Sequence, residues 1–462
     1  MKRPAVLLLC LLVSASASTQ AQPRPADAHE RAIAAGYKAL TLCSGLFNAG
    51  RTAAQVEALE LTGIYPEYDA LVPTLPAEVD TARKQVAVPF DDALPPRVAA
   101  WRPNLGCAQL PIGATADAVA TLPRFDDAAP ELDGKPWPLG DRNATGRLRG
   151  DARTLAHSVD GAFDGTQYGE RHRTTAVIVV QQGRIVLERY REGFGPHVSQ
   201  RTWSVAKSLA GTLLGVAAGQ GTMDPAQPVA LAAWRAPGDP RAAITTDQLL
   251  RMSSGLYSSA SGNRTDALYF GGATVDQDAV AGPLQAPPGS MFRYANNDTV
   301  LAVRGLRERI GDDARALAYP FTQLLWKIGM TRTVPETDWR GNYVLSSQVW
   351  STARDLARLG LLYQDDGVFQ GQRLLPEGWV KHATSPTGPQ PPNGDFGYGA
   401  TLWLLNGSPG VPADAFGAFG NRGQYVIVVP SRKLVIVRRG EDPAGTRFDI
   451  AAFTAEVAKA VE

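Results

Sequence analysis

The chain has 462 residues, 44% of them apolar, enough to bury the core of one large domain or two ordinary ones. Its 46 Lys and Arg against 45 Asp and Glu leave a formal charge of +1, which gives no electrostatic case for binding nucleic acid or an anionic membrane. The histidines, His29, His157, His172, His197 and His382, are scattered, form no His-x-x-x-His pair or metal cluster, and read mostly as surface residues, with His197 a possible local cap.

The first element is a leader. Lys2 and Arg3 precede an apolar run from Ala5 to Val13, and small residues follow. Residues 1–21 therefore read as a secretory signal peptide, cleaved after Ala17 or Ala21, and place the protein in the periplasm or outside the cell. Its removal takes the formal charge from +1 to −1. No later stretch reaches about eighteen apolar residues without a charge, so no membrane span is expected. Cys43 and Cys107 remain after export, and two thiols in an oxidising compartment predict a disulfide.

Residues 22–150 open with a helical stretch, "AHERAIAAGYKALTLCSGLF", and continue in Pro- and Asp-rich loops after Val72. They are expected to pack as a segment on a main domain spanning 151–462, and they carry no catalytic motif. In the main domain, "TTAVIVVQQGRIVLERYREG" reads as a β-hairpin around a Gln-Gly turn. A helix with Ser204 at its start follows, then a long stretch of helices and Gly/Pro loops to about residue 400. "QYVIVVPSRKLVIVRRG" gives two more strands, and "TRFDIAAFTAEVAKAV" a closing helix. Strands at both ends with helices between predict an α/β (α+β) fold. One antiparallel sheet, flanked by helices, is assembled from the two ends, with an inserted all-helical lobe.

Within "WSVAKS", Ser204 and Lys207 lie three apart, on one face of a helix. A lysine is costly to bury, and burial makes it surrender its proton more easily. A neutral amine beside a serine is the base that a serine nucleophile needs. At a helix start, the Ser204 N–H also faces a developing oxyanion. Of the nine lysines only Lys207 has a serine three residues before it, and no Gly-x-Ser-x-Gly elbow occurs.

Two further pieces accompany this pair. In "PPGSMFRYANND", Tyr294 and Asn296 are two apart, suited to relaying a proton and to binding a substrate amide; alternatively Tyr294 simply packs a loop. In "DAFGAFGNRGQYVIVVP", Gly417, Gly420 and Gly423 recur before a strand, where glycine permits close approach of a ligand or marks a bulge.

In this order, "SVAK", "YAN" and the Gly-rich stretch resemble the serine β-lactamase and penicillin-binding-protein superfamily. The likeness is strongest to its class C-like branch of esterases, D-amino-acid peptidases and 6-aminohexanoate-dimer hydrolases. "ITTDQLLRMSSGL" and "DLARLGLLYQDDGVFQGQRLLPEGWV" are similar to the same group, and the likeness covers about 170–440. The resemblance implies Ser204 as nucleophile, Lys207 and Tyr294 as proton carriers, Asn296 as substrate ligand, and no metal or organic cofactor.

The family's Lys-Thr-Gly motif is the departure. Counting back from Pro430 places Ala415-Phe416-Gly417 over it, so Ala418 N–H is expected to join Ser204 N–H as the second oxyanion donor, with Gly417 near the substrate. The cation that would bind a substrate carboxylate is then missing, unless Arg422 lends its charge. "GNRGQ" is similar to the aminohexanoate-dimer hydrolases. Trp203, Tyr257, Tyr269 and Phe270 are expected either to line an acyl pocket or to belong to the core.

The expectation is an exported serine hydrolase acting on a small amide or ester, with no nucleic-acid partner; nothing sets its oligomeric state. The alternatives are a DD-carboxypeptidase or β-lactamase, and a non-catalytic binding protein on the same fold.

Overall fold

The structure, a computed structural model, describes residues 26–258, 265–392, 394–405 and 407–461. The expected leader at 1–21 lies outside them.

The N-terminal residues begin with helix α1 (Ala28–Phe47), started by a reciprocal Asp27–Glu30 capping box. Helix α2 (Ala53–Leu59) follows. The stretch expected to be loops instead contains a four-stranded antiparallel meander: β1 (Glu78–Asp80), β2 (Gln85–Val88), β3 (Arg97–Arg102) and β4 (Gly106–Gln109). These strands are short and rich in alanine and charge, so they carry little of the β-branched signal that announces a strand. α1 lies against this sheet, and Cys43 on α1 is bonded to Cys107 on β4, with Cα atoms 6.1 Å apart.

The main sheet has seven antiparallel strands. Helix α3 (Ala152–Asp164) precedes the hairpin of β5 (Thr174–Gln181) and β6 (Arg184–Tyr190). Gln182 and Gly183 both take positive φ, 52° and 75°, as a two-residue hairpin turn requires. Helix α4 (Val205–Gly219) carries Lys207, helix α5 (Asn296–Ile310) starts at Asn296, and helix α6 is Ala353–Gln364. The sheet is completed by β7 (Gly397–Tyr398), β8 (Trp403–Leu404), β9 (Phe416–Gly420), β10 (Gln424–Val429) and β11 (Leu434–Gly440), before helix α7 (Ile450–Ala460). Its order is β7-β8-β9-β10-β11-β5-β6. The C-terminal strand β11 thus pairs with the early strand β5, Val437 opposite Ile178, and the sheet is built from both ends of the domain.

Alternation along the central strands divides two cores. Val177, Val179, Ile427 and Ile436 face one side and pack with α3 and α7 residues such as Leu155 and Phe453. Ile178, Val180, Val426 and Val437 face the other, in a cluster that includes α4 and α6 and extends to Ala35 and Cys43 of α1. Strands covered on both faces read as continuous apolar runs, which is why "VIVV" and "LVIV" stand out. At Gly360 α6 comes so close to β11 that a β-carbon would stand 2.4 Å from the Val435 side chain. The lobe inserted between α4 and α6 consists of short helices around α5, together with Val334–Pro335, which joins a small sheet with Val349–Ser351 and Gln200–Arg201.

Candidate active site

The strand Gln200–Arg201 runs straight into the nucleophile candidate. Trp203 takes a left-handed φ of 50°, an uncommon conformation for a bulky residue, and turns the chain so that Ser204 caps α4. α4 buries 13 residues and presents no polar face. Its glycines let it run through the interior: a β-carbon at Gly211 would stand 2.2 Å from Thr401 Oγ1. This is how a lysine one turn into the helix becomes 1% exposed.

Among the described residues, the contacts of Lys207 are all with neutral groups. Its Nζ lies 3.1 Å from Ser204 Oγ and donates to Asn296 Oδ1 at 2.5 Å and to the Ser346 carbonyl at 2.9 Å. Burial lowers its pKa from 10.5 to about 7, and the charge of Asp298 partly opposes that shift. In the neutral form the amine has two hydrogens, matched to Asn296 and Ser346, and one lone pair, left facing the Ser204 hydroxyl. The arrangement therefore suits proton acceptance from Ser204.

Tyr294 stands on the other side. Its hydroxyl is hydrogen-bonded with Ser204, and burial raises its pKa well above the usual tyrosine range, so it remains a proton donor. Its ring packs against Tyr398 and Trp403, with centroids 5.9 and 5.5 Å away, and Lys207 Nζ lies 4.9 Å from its centroid. The structure thus brings Ser204, Lys207, Tyr294 and Asn296 together. Asn296 turns its oxygen to the lysine, so it orients the amine as well as lining the cleft.

The glycine-rich strand meets the serine in a different register from the one expected. Ala418 pairs with Val426 and is 1% exposed, and Gly417 pairs with Ile427; neither lines the cleft. Gly420 is the residue beside the serine: a β-carbon there would stand 3.1 Å from Ser204 N and 2.4 Å from the Thr202 carbonyl. The sequence contains Ala-Phe-Gly twice, at 415–417 and 418–420, and counting back from the strand selects the first copy, whereas the cleft is lined by Phe419, Gly420 and Asn421. The counterpart of Ala418 becomes Asn421. In both registers an alanine stands where the resemblance places a lysine.

Arg422 does not lend its charge to the cleft. It is 5% exposed, and its guanidinium donates to the carbonyls of Leu59, Thr62 and Gly63 at 2.6, 3.1 and 3.2 Å. Its φ of 56° turns the side chain inward, which spacing alone does not reveal. Of the four aromatics considered for an acyl pocket, Trp203 and Tyr269 line the cleft. Phe270 is core, 4.3 Å from Tyr37, and Tyr257 is 48% exposed and outside the lining. The histidines are elsewhere: His197 and His382 pair with Asp141 and Asp247 at 2.8 and 2.9 Å, and His172, expected at the surface, is buried against Phe448.

Asp298 was not anticipated. It is 1% exposed, accepts from Ser254 Oγ at 2.8 Å, and burial raises its pKa to about 7. Its signal was an acid two residues beyond Asn296, just ahead of the apolar run Val300–Val303. Also unanticipated is an aromatic wall from the sheet side, where Trp403 and Phe419 stack at 5.8 Å and Phe396 meets Phe419 edge-on at 5.3 Å. The cleft lined by this wall and by Ser204, Tyr294 and Asn296 has a volume of about 1410 Å³. Among the described residues no cluster of His, Cys, Asp or Glu is placed to hold a metal, and no helix is long and apolar enough to cross a membrane.

The chain belongs to the beta-lactamase family: the family model named Beta-lactamase matches residues 152–458. Among individual proteins, the chain is similar to the 6-aminohexanoate-dimer hydrolase of Paenarthrobacter ureafaciens, 30% identical over 238 residues, covering 45% of this chain and 56% of that one. The chain thus spans little more than half the length of that relative. Two solved structures share the fold. One is a family VIII carboxylesterase (TM-score 0.53, 16% identity, 68% of this chain and 98% of that one). The other is a penicillin-binding protein homologue from Caulobacter crescentus (TM-score 0.52, 17% identity, 68% and 98%).

Proposed function

We propose that the protein is an exported serine hydrolase that cleaves a small amide or ester through an acyl-Ser204 intermediate. The observation that carries this reading is the Lys207 amine, buried among neutral partners, 3.1 Å from Ser204 Oγ and with a pKa near 7. Ser204 Oγ attacks the substrate carbonyl carbon and its proton passes to Lys207. The oxyanion forms beside Ser204 N–H and the strand end at Gly420–Asn421. Tyr294 donates a proton to the leaving amine or alcohol, and is recharged from Lys207. Water then attacks the acyl carbon with the same groups in reversed roles.

The charges around the cleft favour substrates without a carboxylate at the scissile bond. Among the described residues lining it, Arg447 is the only Arg or Lys, and it is 92% exposed and 4.0 Å from Asp395. Binding a carboxylate without a charge-assisted donor forgoes roughly 1.5–3 kcal/mol. Neutral esters and amides are therefore expected to exceed β-lactams and peptidoglycan-like peptides in kcat/KM. Export rests on the leader pattern and is supported by the disulfide; mass spectrometry of the mature protein should find its N-terminus after Ala17 or Ala21.

The test is labelling with a fluorophosphonate followed by peptide mapping. Wild type is expected to label at Ser204, and Ser204→Ala is expected to lose both labelling and turnover with its unfolding temperature unchanged. Absence of labelling and turnover in wild type would leave the non-catalytic reading. Faster turnover of benzylpenicillin than of any simple ester or amide would overturn the substrate class.

A further inference from the structure

The family match begins at residue 152, yet the cleft does not. Tyr65, Pro66 and Glu67 line it together with Ser204. The Tyr65 ring meets the Trp203 ring edge-on, with centroids 6.4 Å apart, so it touches the residue whose left-handed turn presents the nucleophile.

The loop that carries Tyr65 is built into the main domain. Arg422, two residues beyond Gly420, holds the carbonyls of Leu59, Thr62 and Gly63. Arg51 and Glu60 form a buried pair at 2.9 Å beneath it. The Gly63 carbonyl also accepts from Ala444 N at 2.7 Å, and Gly63, at φ 64°, lies so close to Pro443 that a β-carbon would approach to 2.9 Å. A loop held this way keeps its rings in place when a ligand binds, which lowers the entropy lost on binding. The same cleft carries the half-buried rings of Trp403, Phe419 and Phe396 from the sheet side. Partly exposed rings in a concave site favour a flat apolar guest, through area and ring–ring geometry together.

We propose that Tyr65 is a specificity-determining residue, contributed by the segment outside the family match, which with the Trp403–Phe419 wall forms a subsite for an aromatic or similarly flat apolar group of the substrate. This rests on Ser204 being the nucleophile. The experiment uses the mature full chain and two fluorophosphonates that differ only in carrying methyl or benzyl on phosphorus. In wild type the benzyl probe should label Ser204 at least about tenfold faster than the methyl probe, and Tyr65→Ala should lower that ratio by about tenfold, the range for one aromatic contact plus its buried area. Tyr65→Phe, which keeps the ring, should retain the wild-type ratio. An unchanged ratio in Tyr65→Ala, or equal losses with both probes, overturns the subsite while leaving Ser204 as nucleophile. Labelling elsewhere than Ser204, or none, overturns the acyl-serine reading and this subsite with it.

Discussion

Lys207 and Arg438 are both shut off from solvent, 1% and 0% exposed, but their surroundings differ in kind. Arg438 grips the Asp442 carboxylate with two nitrogens, at 2.7 and 2.9 Å, and also donates to the Gly423 carbonyl and Thr174 Oγ1. Lys207 touches a hydroxyl, an amide oxygen and a backbone carbonyl and, among the described residues, no carboxylate. A buried cation matched to an anion holds strands together; one given only neutral acceptors gives up its proton and becomes a base. The same fold holds both, within one sheet and the helix beside it, and the incompletely paired cation is the one beside Ser204.

The largest effect should come from removing the underpaired amine. Lys207→Met is expected to lower kcat/KM by about 10²- to 10⁴-fold, the range for losing a positioned base. It should also raise stability. At pH 7 the unfolded lysine is protonated, whereas the folded one, with a pKa of about 7, is half neutral. That mismatch works against folding by roughly 4 kcal/mol and fades as pH rises from about 7 to 10.5. The stability gain of the Met variant, measured by denaturant unfolding, should therefore shrink over that pH window. A variant no more stable than wild type at pH 7 would mean that the burial of Lys207 is not strained.

Removing the anion from the paired site should act on stability alone. Asp442→Asn leaves Arg438 buried with one strong partner fewer and is expected to cost about 3–5 kcal/mol in chemical unfolding. The pH profile of the residual folded enzyme should keep its wild-type shape. A displaced limb would show that this cluster also sets the lysine.

Asn296→Asp converts the first kind of site into the second. It sets a carboxylate against Lys207 Nζ, where the amide oxygen now lies at 2.5 Å. An opposite charge in contact favours the ammonium and raises its pKa by about 1 to 3. Activity at pH 7, where the wild-type amine is half neutral, should fall roughly five- to five-hundredfold and recover as pH rises above about 9. Equal loss at every pH would assign Asn296 to substrate binding rather than to the lysine.

How much of this was legible in the sequence follows the same physics. Ser204 and Lys207 were legible because a lysine in an apolar helix needs a reason, and helical periodicity supplies its neighbour. Strands β5, β10 and β11 of the main sheet were legible because, buried on both faces, they are written largely in valine and isoleucine, whereas β7, β8 and the meander at 78–109 are short strands of mixed residues. The register of the glycine-rich strand slipped by three because its Ala-Phe-Gly is duplicated, and only the contact at Gly420 distinguishes the copies. Arg422 misled because charge is visible in a sequence and direction is not. The cleft gathers Trp403 and Phe419 with Tyr65, more than 300 residues away in the chain, and no local pattern announces that meeting.

The smallest effect, and the finest probe of the comparison, concerns Asp298. It does not touch Lys207 as Asp442 touches Arg438, but its charge still raises the lysine's pKa against the larger effect of burial. Asp298→Asn keeps one acceptor oxygen for Ser254, whose hydroxyl now donates to Asp298 Oδ1 at 2.8 Å, and removes the charge. The ammonium then loses a distant counterion, Lys207 becomes neutral at lower pH, and the acidic limb of kcat/KM should move down in pH, opposite to Asn296→Asp. The movement is small because Asp298, with a pKa of about 7, is itself half protonated where the limb lies, so only part of the population carries the charge to be removed. Relative to wild type, the variant should gain near pH 6 and match it near pH 9, measured with a neutral ester whose own hydrolysis is subtracted. A limb moving upward would mean that Asp298 holds Lys207 in place through its position rather than its charge; an unmoved limb would assign the whole depression of the lysine to burial.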